Sequence, residues 1–365
     1  MTGELISLGV AIFWTASAVC FEYAGRVAKS TTLNLIKLVF SLIAIGTIIF
    51  FMAGSPFPKW ADSKVWLWMS LSGFSGFVFG DFFLFAAYRM IPARITQLIM
   101  TISPLFAALA AYILLGETLA PKAFSGMILT ISGIAISILK RSSKNNPQPV
   151  VTSPAMAANY SMVTKAAESI EEEATTANSP SAHGHHASVE LSIPWKGVVF
   201  SVFAAIGQGV GLVLSKMGML EYGGSISAAS DSFSSASGSA TLPAAMTNPL
   251  YTPLAATEIR VIIGVICFAV IIALSKGGFS NIPKAFSSKK YATATICGSI
   301  SGPLVGVVLS MMAVFYTDAA IASTIIAIVP ILIIIPDRFI YKRRVTLIEI
   351  LGAFISVTGV ALFFI

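Results

Sequence analysis

Apolar residues gather along this chain in runs of about 20, the length that carries a helix across roughly 30 Å of hydrocarbon. Ten such runs occur, at 4–24, 31–52, 66–88, 93–115, 120–140, 196–219, 253–274, 291–315, 319–340 and 346–365. The pattern predicts an all-α membrane protein with ten transmembrane helices. Two polar stretches interrupt it. Residues 141–194 are rich in Ser, Ala, Asn and Pro, with acidic residues at Glu168 and Glu171 to Glu173. Nothing there packs a core, so a disordered linker is expected. Residues 221–252 carry no Lys or Arg and read as a flexible loop. The chain thus divides into a helical half at 1–140, the linker, and a second half at 195–365.

Composition agrees. Charged residues make up 11% of the chain, against about 25% in soluble domains. Cys20, Cys267 and Cys297 all fall inside apolar runs, so no disulfide framework is implied. The net charge of +7 is no nucleic-acid signal, because the cations sit in loops and at helix ends. Of the 23 Lys and Arg, 17 fall in the odd-numbered loops, and only Lys59, Lys64 and Lys122 fall in the others. The positive-inside rule then puts the odd loops in the cytoplasm and both termini outside, in what is expected to be the plasma membrane. The first run lacks a basic leader, and Trp14 and Glu22 within it suit a retained helix.

The two halves repeat each other. Residues 72–135 laid on 298–361 at an offset of 226 give 12 identities in 64 positions. The matches include Gly76/Gly302, Gly80/Gly306, Pro104/Pro330, Gly126/Gly352 and Gly133/Gly359. Glycines let helices approach closely, and a mid-helix proline frees a carbonyl and bends the helix. Earlier helices align at other offsets, setting Lys37 opposite Arg260, Trp14 opposite Gln208 and Glu22 opposite Lys216. Five helices is an odd number, so the second half must enter the membrane upside down. Two inverted five-helix repeats are the expected architecture.

The segment ARITQLIMTISPLFAALAAYILLGETLAPKAFSGMILTISGIAI, 93–136, resembles the EamA-type repeat of the drug/metabolite transporter superfamily. It has a proline midway along the fourth helix, a Gly-Glu at its end, a short turn, and a glycine-spaced fifth helix. The resemblance covers both halves and implies secondary transport of a small metabolite, amino acid or amphipathic drug. Lys37 and Arg260 stand where the family commonly has a basic residue in the second helix of each repeat. The second half departs from the pattern, with Pro336-Asp337-Arg338 in place of the Gly-Glu pair. The family is usually drawn with cytoplasmic termini, the reverse of the charge count.

Charges within the runs are costly and mark function by default. Glu22, Lys37 and Asp81 fall in the odd-loop half of the membrane, and Lys216, Glu258 and Arg260 in the other, so two clusters are expected, one at each end of a path. Glu22 and Lys216 lie close enough to helix ends to snorkel. Asp81 is short and deep, with Lys37 its expected partner, and has three possible tasks: pairing, carrying a coupling proton, or holding a cationic group. Gln97, Thr101 and Pro104 share one face of the fourth helix, with Ser323, Ala327 and Pro330 their counterparts in the ninth and Thr324 beside them. With Trp14 and Gln208 they suit a cavity for a small amphipathic solute.

Other classes fit less well. All three histidines lie in the linker, so no catalytic pair and no built metal site is expected, and no cofactor is implied. No Walker A sequence occurs, which argues against ATP-driven pumping by this chain. A receptor or scaffold would not need two related five-helix halves. The expected partners are a small-molecule substrate, the lipid bilayer and a proton or other coupling ion, in a monomer with a dimer as the alternative.

Overall fold

A computed structural model describes residues 2–116, 121–139, 194–237, 247–275, 278–316, 325–340 and 346–364. Among these, every regular element is helical. The first half comprises α1 (Thr2–Ala24), α2 (Ser30–Ala53), α3 (Ser63–Gly73) running through a π-helical segment (Phe74–Gly80) into α4 (Asp81–Tyr88), then α5 (Ala93–Met100), α6 (Ser103–Leu115) and α7 (Pro121–Leu139). The second comprises α8 (Trp195–Ser237), α9 (Tyr251–Leu274), α10 (Lys289–Ser299) continuing through a π-helical segment (Ile300–Gly306) into α11 (Val307–Tyr316), then the short α12 (Val329–Leu332) and α13 (Ile334–Phe339), and α14 (Leu347–Phe364).

Among the described residues seven stretches are long and apolar enough to cross a membrane: Thr2–Ala24, Ser30–Ala53, Ser63–Tyr88, Ala93–Leu115, Trp195–Asp231, Tyr251–Leu274 and Lys289–Ala313. The runs expected at 120–140 and 346–365 contain shorter apolar helices, and 319–340 is described only from residue 325. The linker lies outside the described residues, as do Ser323 and Thr324. One boundary is corrected. The loop expected to begin at residue 221 is helical as far as Ser237. Helix propagation adds one bond per residue fixed, so a long apolar helix extends readily through Ser and Ala. Tyr222, fully buried and donating to Lys59 O at 2.6 Å, anchors the extension.

The irregularities of the two halves coincide. Both π-helical segments end in the glycine of a GxxxG pair and are 226 residues apart. In the first, Asp81 N–H reaches back five residues to Gly76 O; in the second, Val307 N–H reaches Gly302 O. That i→i−5 bonding widens the helix locally. Helical hydrogen bonding also lapses at 101–102 and 327–328, ahead of Pro104 and Pro330 in the first turns of α6 and α12.

Packing crosses between the halves. α8 packs on α3, α4, α6 and the first π segment, while α1 packs on α10, α11 and the second. α2 lies against α9, and α7 against α14. Close approach requires small residues: a Cβ on Gly207 would stand 2.7 Å from Gly80 Cα, and one on Gly211 2.9 Å from Gly76 N. Reciprocally, a Cβ on Gly302 would meet Ser17 Oγ at 2.5 Å, and one on Gly306 Trp14 Nε1 at 2.7 Å. Gly126 and Gly352 serve the α7–α14 contact, where a Cβ on Gly133 would lie 2.6 Å from Gly352 O and one on Gly359 2.8 Å from Gly126 O.

Candidate functional site

The widened helices and the breaks surround one cavity of about 220 Å³. A water occupies about 30 Å³ of liquid, so the space suits a small organic solute. Its walls come from both halves. Trp14, Lys37, Asp81, Gln97, Thr101 and Pro104 line it from the first; Gln208, Arg260, Gly302 and Pro330 line it from the second. Phe21, Phe77, Leu84, Phe85, Met100, Leu212 and Met311 supply apolar surface.

Asp81 opens α4 directly after the π segment and is 5% exposed. Its Oδ2 accepts from Lys37 Nζ at 2.6 Å, and its Oδ1 from Gln208 Nε2 at 2.8 Å. The same Gln208 nitrogen reaches Gly76 O at 3.3 Å, and Asn34 Nδ2 donates to the Asp81 carbonyl at 3.2 Å. The Lys37 ammonium also stands 4.4 Å from the Phe85 ring centre. An ion pair removed from water needs such added bonds to offset its desolvation. Arg260 projects from α9 beneath the first π segment, 4.6 Å over the Phe77 ring. A Cβ on Gly76 would come within 3.1 Å of its Nη2, so the glycine makes its room. Gln97 Nε2 donates to Tyr88 Oη at 2.6 Å, and Thr101 Oγ1 bonds back to Leu98 O at 2.6 Å.

The two expected clusters at opposite ends are not found. Lys37, Asp81 and Arg260 border the same cavity. The Arg260 side chain is long enough to carry its guanidinium from α9 to Gly76, five residues before Asp81. Glu258 does not line the cavity; it is buried on α9 against Gly46, where a Cβ would stand 3.0 Å from its Oε1. Lys216 is half-buried on α8 and also lies off the cavity. Glu22 does not snorkel: it is 2% exposed and its Oε2 accepts from Ala93 N at 3.1 Å, capping α5. Pro92, the residue before that helix, offers no side-chain cap.

A second buried network was not foreseen. Arg94 Nε stands 3.1 Å from Asp337 Oδ2 and its Nη1 3.2 Å from Glu349 Oε2, joining α5 to α13 and α14. Arg94 reads in the sequence as one more loop-edge cation. Its clue was Asp337, in the segment where the second half departs from the first. On the even-loop side, Lys59 N donates to Tyr251 Oη at 2.8 Å, and Trp60 packs edge-on against Tyr251 at 5.3 Å.

Among curated proteins no match is found. Among solved structures 21 chains match. One, titled only as the crystal structure of a protein, has 14% identity and a TM-score of 0.54, covering 99% of this chain and 96% of its own, a likeness of fold alone. The model of the EamA-like transporter family matches residues 1–139 and 224–365. With both helical halves matched over most of its length, the chain belongs to the EamA-like transporter family.

Proposed function

We propose that the chain is a secondary active transporter that moves a small organic solute by alternating access at the central cavity, and that its halves are inverted five-helix copies. The observation that carries this is the buried Lys37–Asp81 pair, held in a cavity walled by both halves. Its side chains are 5% and 7% exposed. Charges this deep in an apolar bundle mark a solute or ion path more often than a structural tie. Support for the inverted copies comes from the equal spacing of the π segments and helix breaks. The reciprocal seating of α8 on Gly76 and Gly80, and of α1 on Gly302 and Gly306, adds to it.

Alternating access requires contacts between the halves that break in turn on either side of the solute. The Arg94–Asp337–Glu349 network closes the odd-loop end in this reading. Lys59, Trp60, Tyr222 and Tyr251 close the other. The protein acts as a monomer in the plasma membrane with its odd loops in the cytoplasm, without enzymatic activity. Cytoplasmic labelling of a cysteine placed in the loop between α8 and α9 overturns that orientation.

Reconstitution tests the transport reading. Proteoliposomes preloaded with a mixture of amino acids and organic acids are expected to accumulate labelled solute by counterflow. No counterflow with any solute that binds the purified protein sinks it. A proton as coupling ion predicts that Asp81→Asn abolishes the response of uptake to a pH gradient; an unchanged response removes the proton.

A further inference from the structure

Three cavity charges do not balance. Lys37 and Asp81 neutralise each other, and both Asp81 carboxylate oxygens are engaged, one by Lys37 and one by Gln208. Arg260 feels the Asp81 charge through space but makes no bond to it, and leaves the cavity with a net positive charge. It is 4% exposed, and its Nε and Nη1 meet no hydrogen-bond acceptor among the described residues. The nearest acid along its own helix is Glu258. Two residues apart on an α-helix is about 200° of rotation, so Glu258 points away, toward Gly46. At the repeat position where the first half has Asp81, the second has Val307, which also lines the cavity. What holds the guanidinium is the Phe77 ring and the space left by Gly76.

We propose that Arg260 receives an oxyanion of the transported solute, a carboxylate or phosphate group on a small organic body. This deepens the transport reading and rests on it for the word "transported", but the anion site itself does not. A buried cation with unused donors is costly until an anion arrives, and the planar guanidinium fork matches carboxylate and phosphate oxygens two at a time. Stacking on Phe77 holds the fork before the ligand binds, which cuts the ordering cost of binding. The anion is received at Arg260, and Leu84, Phe85, Met100, Leu212 and Met311 cover the rest of the solute. Asp81, carrying the opposite charge and held by two partners, repels the anion from its own corner and so fixes which end of the solute faces which half.

Binding to the purified full-length protein in detergent tests this without requiring transport. Four compounds with one phenyl ring serve as probes: benzoate and phenyl phosphate as anions, benzyl alcohol as neutral, benzylamine as cation. At least one anion is expected to stabilise the protein thermally and to bind more than tenfold tighter than the alcohol or the amine. Arg260→Gln is expected to abolish that preference, and Arg260→Lys, which keeps the charge and loses the fork, to retain part of it. A variant that does not fold is replaced in the test by the wild type's own preference among the four probes. Equal binding of all four, tighter binding of benzylamine, or an anion preference intact in Arg260→Gln overturns the proposal. Anion binding without counterflow leaves the Arg260 site standing and sinks transport. Counterflow of a neutral or cationic solute with no dependence on Arg260 does the reverse.

Discussion

Lys37 on α2 and Arg260 on α9 align in sequence, and the difference in their surroundings that matters is an acid. Lys37 has a carboxylate at 2.6 Å and an aromatic face at 4.4 Å; Arg260 has an aromatic face at 4.6 Å and, among the described residues, no acid within hydrogen-bond reach, Asp81 acting on it only through space. Both cations lie over a ring, and both rings, Phe85 and Phe77, come from the first half. The acid appears once, as Asp81, with Val307 in its place in the other half. A fold can repeat every element that sets geometry and still break the repeat where chemistry is needed. Pairing makes Lys37 part of the scaffold; the lack of it leaves Arg260 for something that arrives from outside.

The largest expected effect breaks the paired member. Asp81→Leu strands the Lys37 ammonium in the core, and losing one partner of a buried pair costs about 3–5 kcal/mol. The double change Lys37→Met with Asp81→Leu should recover most of that loss, because no charge is left alone. Arg260→Met breaks no ion pair, since Asp81 keeps Lys37 and Gln208, and should cost less than about 1 kcal/mol or stabilise the protein. Thermal unfolding in detergent reads all three, and equal losses for Asp81→Leu and Arg260→Met would falsify the contrast.

Arg94 sharpens the same contrast, being a buried arginine with two acids in ion-pair reach where Arg260 has none that close among the described residues. Asp337→Asn removes one charge-assisted contact at 3.1 Å and is expected to cost about 2 kcal/mol. The loss should appear as lower thermal stability with benzoate affinity unchanged, because this network lies off the cavity. A change in benzoate affinity as large as that from Arg260→Gln would place Arg94 in the solute path instead.

The helices were legible because apolar length and breaker residues act locally. Each of the ten runs contains helix among the described residues, and Pro104 and Pro330 stand just after helix breaks in both halves. The Lys37–Asp81 pair was legible too, since both residues fall at one depth and an acid that deep needs a cation. Pairings that depend on side-chain reach and on distant helices were not. Depth counting along straight helices separated Arg260 from Asp81; it ignores the length of the arginine side chain and the π segment that receives it at Gly76. Glu22 reads as an interfacial acid until α5 is known to begin beside it, with a proline where a capping side chain would serve. The helix through 221–237 was hidden by its Gly and Ser content, which outweighs continuity from α8 only when residues are read a few at a time.

Giving the second half its missing acid is the next test in size. Val307→Asp puts a carboxylate on the wall that Arg260 shares. With that acid as competitor, benzoate is expected to bind about tenfold more weakly, near 1.4 kcal/mol. The protein itself should lose little stability, because the new charge gains a cation already buried. Unchanged benzoate affinity in a folded Val307→Asp protein would mean that the two side chains do not meet, and that the asymmetry at this position does not explain the unpaired arginine.

The smallest expected effects separate the two rings. Phe85→Leu removes the face under Lys37, but Asp81 still holds the ammonium, so benzoate affinity should stay within about twofold of the wild type. Phe77→Leu removes the ring over which Arg260 lies, and a buried cation–π contact is worth about 1 kcal/mol. Without it the guanidinium samples more positions and each bound anion must order it anew, so benzoate should bind about fivefold more weakly, with the anion preference intact. Isothermal titration of the two variants side by side gives the answer. A larger loss from Phe85→Leu than from Phe77→Leu would assign the anion to Lys37 and leave Arg260 as the structural member of the pair.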